Sequence, residues 1–96
     1  MYLEIITPEK KIFQGEVDAV QMPGTEGLFQ VLKGHAPIIS TLKDGQVKIS
    51  LRDNHKRYEQ LTGEIVHDSS DDKVIRVAIK GGVMEMMNNN IIILAD

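Results

Sequence analysis

The chain has no cysteine, no tryptophan, and only two tyrosines and two phenylalanines. Without cysteine neither a disulfide nor thiolate chemistry is available, which fits a reducing compartment. The shortage of aromatic rings weakens one reading, a free-standing β-sandwich ligand-binding module, because such modules commonly present aromatic platforms. A basic excess is also missing: 11 Lys and Arg stand against 14 Asp and Glu, a net charge of −3. A phosphate-backbone binder needs a basic face, so no nucleic-acid partner is expected. The longest apolar run, Ile91 to Ala95, is five residues, whereas a spanning helix needs about 20. Any membrane association is therefore expected to be indirect. The start, Met1-Tyr2-Leu3-Glu4, lacks the basic region and apolar core of a secretory signal, and the expectation is a soluble, cytoplasmic domain.

Catalytic signatures are equally scarce. There is no nucleophile elbow, and no Ser lies beside a His in sequence. His35, His55 and His67 are scattered without metal-ligand spacing. His55 and His67 could meet across a hairpin with Asp53 or Asp68, but loop histidines are commonly just solvated. Asp71-Asp72 has nothing around it in sequence to bury it and raise a carboxyl pKa. Gly24-Thr25-Glu26-Gly27 lacks the Lys-Ser/Thr of a phosphate loop, no helix follows it, and Glu26 would repel an anion. No catalytic residue, metal or cofactor is expected.

A period-2 alternation fills the sequence instead. Val47, Ile49 and Leu51 alternate with Lys48, Ser50 and Arg52, and Ile75, Val77 and Ile79 alternate with Arg76, Ala78 and Lys80. Tyr2 to Thr7 and Ile91 to Leu94 are apolar on both faces, which predicts central strands or strands whose outer face meets something else. Between Glu16 and Met22 the alternation slips. A bulge near Ala19 and an unbulged, two-sided strand both account for it. Turns are predicted at Pro8-Glu9-Lys10, Pro23-Gly24, Gly34 to Pro37, Lys43-Asp44-Gly45, Gly81-Gly82 and Asn88-Asn89-Asn90. Met84 and Met86 read as core; Met87, on the opposite face with Val83 and Glu85, reads as an adaptable contact. Residues 52–73 read as an added hairpin or loop, with a strand pair over 57–66 between polar loops. The expected fold is all-β: one domain over 1–96, a flattened sandwich or barrel of about 8–10 short, mostly antiparallel strands in two sheets. A chain this short buries roughly 60–65 % of its unfolded surface, so its core is thin.

The densest motif is Met22 to Pro37, M-P-G-T-E-G-L-F-Q-V-L-K-G-H-A-P. With Thr7-Pro8-Glu9-Lys10-Lys11-Ile12-Phe13 near the start and Leu94-Ala95-Asp96 at the end, it resembles the N-terminal β domain of the epsilon subunits of F-type ATP synthases, over nearly the whole chain. The resemblance implies a non-catalytic rotor part that couples proton flow to ATP synthesis by linking the gamma subunit to the membrane c-ring. The expected place is the cytoplasmic face of the bacterial inner membrane, peripherally. By the same resemblance Glu26, Gly27, Leu28 and His35 fall on the c-ring side, and Thr7, Ser40 and Gln46 near the gamma side. Three positions depart from the family's habit: Leu28 replaces a polar or acidic residue, Gln30 a Gly, and Lys33 a Pro. Asp44 in place of a Pro is a milder change, since Asp also opens turns. Longer relatives carry a C-terminal helical hairpin that starts about where Leu94-Ala95-Asp96 stands; it inhibits ATP hydrolysis and, in some, binds ATP. Coupling without inhibition of that kind, and without nucleotide binding, is the expectation for residues 1–96.

Overall fold

A computed structural model describes residues 1–53 and 65–96. Among them are nine strands: β1 (Tyr2–Ile6), β2 (Lys11–Gly24), β3 (Gly27–Leu32), β4 (Ile38–Leu42), β5 (Gly45–Leu51), β6 (Ile65–His67), β7 (Val74–Ile79), β8 (Gly82–Met87) and β9 (Asn90–Ala95). All pairings are antiparallel except β1 with β9. Hydrogen bonding runs β1-β9-β8-β4-β2-β5-β7-β6, with β3 beside β2, and β1 returning to pair with β2. Where two sheets were expected, the strands join into one network, because β2 belongs to both layers.

β2 does this by changing phase twice. Its partner β1 pairs Ile5 with Phe13 and Ile6 with Lys11, skipping Ile12. On the other side, β5 pairs Leu51 with Val17 and Ser50 with Ala19, skipping Asp18. The extra residue at Asp18 is a bulge, which decides between the two readings of this segment. In an unbroken strand Val17 and Val20 would point to opposite faces. With the bulge both are fully buried, as is Met22.

The inner rows of the two layers meet in one core. Leu3, Ile5, Met84, Met86, Ile91 and Ile93 come from the β1-β9-β8 side, and Val20, Val31, Val47, Ile49, Ile75 and Val77 from the β2-β3-β5-β7 side. The alternating patterns in β5 and β7 are observed as expected, and β1 and β9 are interior strands, each flanked by two neighbours. Tight connections hold the register. Asn88 and Asn89 take φ of 53° and 62° in the two-residue link between β8 and β9. Gly82, at φ 148°, lies so close to β9 that a Cβ there would strike the Leu94 carbonyl and sit 2.9 Å from Ala95 Cα.

Two expectations shift. Pro23 and Gly24 are the last residues of β2, and the turn falls one step later at Thr25-Glu26. The pairs Pro23–Leu28 and Gly24–Gly27 extend the hairpin past the proline. Pro23 can do this because its missing N–H is not required: its carbonyl accepts the Lys43 N–H at 2.8 Å. His67, expected in a loop, closes β6 opposite Ile75. The strand pair expected over 57–66 lies outside the described residues up to 64.

Met84→Ala should cost about 2–5 kcal/mol of stability through loss of a buried side chain, while Met87→Ala should stay within about 0.5 kcal/mol. Urea unfolding of the two variants checks this; equal losses would place Met87 in the core. Gly82→Ala should cost at least about 2 kcal/mol, from strain at positive φ and contact with the β9 backbone.

Candidate interaction surface

The outward rows of β4, β8, β9, β1 and the first half of β2 form a grid whose members are fixed by register. One row reads Thr41, Val83, Leu94, Ile6, Lys11; the next reads Ile39, Glu85, Ile92, Glu4, Gln14; the third reads Met87, Asn90, Tyr2, Glu16. Of the seven large apolar side chains exposed among the described residues, Ile39 (70 % exposed), Val83, Met87 and Leu94 stand on this grid. Ile6, Ile92 and Tyr2, half-buried, fill the spaces between them. Two open hollows flank β8: one touches Tyr2, Glu4, Met87 and Ile92, the other Pro37, Ile38 and Ile39, and both are bordered by Glu85. They are depressions in a surface rather than enclosed ligand cavities. Exposed apolar side chains concentrated on one sheet face in this way make it a candidate interaction surface.

A second exposed row runs along β3. Leu28 (68 % exposed), Gln30 and Leu32 alternate with Phe29 and Val31, which turn toward the core. β3 pairs with β2 alone, so it is an edge strand. Glu26 and Gly27 stand at its start, and His35 lies beyond its far end. There Gly34, at φ 85°, donates its N–H to Asn89 Oδ1 at 2.7 Å, tying this turn to the β8–β9 turn. His35 Nδ1 is 2.6 Å from the Ala36 carbonyl. A carbonyl only accepts, so Nδ1 is the donor in this contact. Of the four residues expected on the c-ring side, Glu26, Gly27 and Leu28 therefore stand at the start of β3 and His35 past its end.

The residues expected on the gamma side are not gathered either. Thr7 closes the turn after β1, its N–H donating to the Lys10 carbonyl at 2.8 Å and its hydroxyl accepting the Lys10 N–H at 3.2 Å. Ser40 pairs across from the buried Met84, on the inward row of β4. Gln46 is exposed on β5, across from Ala78 and away from the apolar grid. Spacing could not separate Ser40 from its neighbour Ile39; only the pairing with β8 tells which row faces out. The signal that did point to the grid is the two-sided apolarity of β1 and β9.

His35 follows β3 and His67 ends β6, on strands that do not pair, and His55 lies outside the described residues. Among the described residues no three His, Asp or Glu side chains gather into a metal-binding group. The best-organised charge is Asp68, in the β6–β7 turn. Its Oδ2 accepts Arg76 Nη1 at 2.8 Å, and its Oδ1 accepts the Ser70 N–H, the Ser70 hydroxyl and the Asp71 N–H. The Arg76 guanidinium first, then the Ser70 donors, hold this carboxyl far below the ordinary carboxylate range. The cluster pins a turn.

Comparison with known proteins follows the same lines. Residues 1–66 match the family model for the β-sandwich domain of the ATP synthase delta/epsilon chain. The chain belongs to that family. It is 44 % identical over 73 residues to the ATP synthase epsilon chain of Chlorobaculum tepidum, covering 76 % of this chain and 83 % of that one. Against the epsilon chain of Campylobacter jejuni it is 46 % identical over 81 residues, which are 83 % of this chain and 60 % of the relative. Among solved structures, the central stalk and c-ring of the Tetrahymena thermophila mitochondrial ATP synthase contain a chain with the same fold. It aligns with a TM-score of 0.70 at 16 % identity, over 99 % of this chain and 62 % of that one.

Because folding depresses the Asp68 pKa, its contribution to stability is complete above the ordinary carboxylate range and fades as the pH falls below it. Asp68→Asn should lower the melting temperature at neutral pH and flatten the loss between neutral and acidic pH. Melting curves across that range decide the matter; parallel curves for variant and wild type would remove Asp68 from the acid response.

Proposed function

We propose that this domain is a non-catalytic part of the rotor of a proton-translocating ATP synthase, linking the gamma subunit to the c-ring. Family membership supports the assignment to the complex. The observation that carries the mechanical reading is the apolar grid on β4, β8, β9 and β1, which lies on the outside of a domain whose core is already complete. In this reading the grid is the gamma-facing side, with Ile39, Val83, Leu94 and Met87 at its centre and Thr7 at its margin. Ser40 supports β4 from beneath, and Gln46 lies outside the contact. The β3 edge, with Glu26, Gly27 and Leu28 at one end and His35 at the other, is the c-ring side. At Leu28 an apolar contact takes the place of the polar or acidic residue that the resemblance implies.

The mechanism is transmission of torque. A rotor connector contributes no bond chemistry; it has to resist deformation between two attached bodies. A continuously hydrogen-bonded network with one shared core is suited to that, and two surfaces on different parts of it let both partners bind together. A stable interface covers roughly 800 Å² per partner, which the five-stranded outer face can supply. Membrane association then comes through the complex, on the cytoplasmic face of a bacterial inner membrane.

Co-expression with the gamma subunit of the same organism should give a one-to-one complex on gel filtration. Ile39→Asp or Leu94→Asp should abolish it while leaving the melting temperature near that of the wild type, since both residues are exposed. Leu28→Asp should leave the gamma complex intact and weaken retention of the c-ring. A complex indifferent to charges on the grid would move the gamma contact elsewhere.

A further inference from the structure

The apolar grid contains one charge, Glu85, that no ion pair balances among the described residues. Glu85 stands on β8 with Ile39 directly across on β4 and Ile92 directly across on β9. Along its own strand the outward neighbours are Val83 and Met87. Four apolar side chains therefore surround an exposed carboxylate. Glu4, two strands away in the same row, is already held by Lys11 Nζ at 2.9 Å. Glu16, at the margin of the grid, is 3.3 Å from the Met1 ammonium. Glu85 has no ion pair among the described residues.

As long as the face is wet, this carboxylate is solvated and costs nothing. Any partner that covers Ile39, Ile92, Val83 and Met87 must also cover Glu85. A carboxylate closed into an apolar contact without a counter-charge is strongly disfavoured. We infer that the partner surface presents a Lys or Arg side chain to Glu85, at the centre of an otherwise apolar contact. This rests on the reading of the grid as the gamma-facing side and specifies the chemistry of the gamma segment that meets it: an apolar face with a basic residue seated over β8. The hollows on either side of Glu85 leave room for the stem of such a side chain. Apolar area then contributes most of the affinity, and the ion pair fixes register, since a shifted partner leaves both charges buried and unpaired.

Glu85→Gln tests this because the two possibilities move affinity in opposite directions. The variant keeps shape and removes only charge. With a basic residue opposite, binding to the gamma subunit should weaken by about tenfold or more, and Glu85→Lys should abolish it. Titration of the full chain with purified gamma subunit, wild type beside Glu85→Gln, Glu85→Lys and Ile39→Asp, gives the readout. Loss with Ile39→Asp together with tighter or unchanged binding for Glu85→Gln would overturn the ion pair and leave the docking reading in place. Unchanged binding in all three variants would defeat the docking reading and the ion pair with it. So would a grid that only pairs with a second copy of this chain, seen as a dimer lost in Ile39→Asp and no gamma complex.

Discussion

The single residue inserted at Asp18 holds the architecture together. A β-strand alternates its faces with period two, so a strand that leaves one layer for another must re-phase or send its apolar residues to the wrong side. β2 re-phases at Asp18, and Val17, Val20 and Met22 all reach the core. Its first half can then pair with β1, and its second half with β3 and β5. The parallel pairing of β1 with β9 and the run through β8 and β4 complete the circuit back to β2 at Gly24 and Leu42. A small domain buries only a modest share of its surface, and sharing one strand between two layers lets both inner rows face the same core.

With the inner rows committed to that core, further apolar residues can only face out. Ile39, Val83, Met87 and Leu94 do so on a single layer, whereas the outward row of β5 and β7 carries Gln46, Lys48, Ser50 and Arg76. One outer face is polar, and the other carries exposed apolar side chains around Glu85. The β3 edge adds a separate, narrower surface with its own apolar row, on a different strand from the grid.

Much of this can be traced in the amino-acid order. The strands of β5 and β7 follow from strict alternation, and the split of Met84 and Met86 from Met87 follows from the same period. The apolarity of β1 and β9 on both faces announced their interior position. Other features left weaker traces. Pro23-Gly24 carries the composition of a turn but lies in a strand, because its place in the ladder needs no N–H from Pro23. The expected gamma-side set of Thr7, Ser40 and Gln46 divides among a turn, an inward row and the opposite layer. Sequence distance carries no information about which row of β4 faces β8's buried methionines.

Local physics is written in the chain: side-chain alternation, the φ preferences of Asn and Gly, and the shortage of groups able to do chemistry. Those determine an all-β domain whose readable assets are surfaces, and the Met22 to Pro37 motif points to its family. Tertiary structure alone decides which exposed residues become neighbours. Ile39, Glu85, Ile92 and Glu4 come from four strands and three distant stretches of chain, and they form one row only because register aligns them. Register is a property of pairs of strands, set when opposing rows settle into a common core, and so it lies beyond any single segment of sequence.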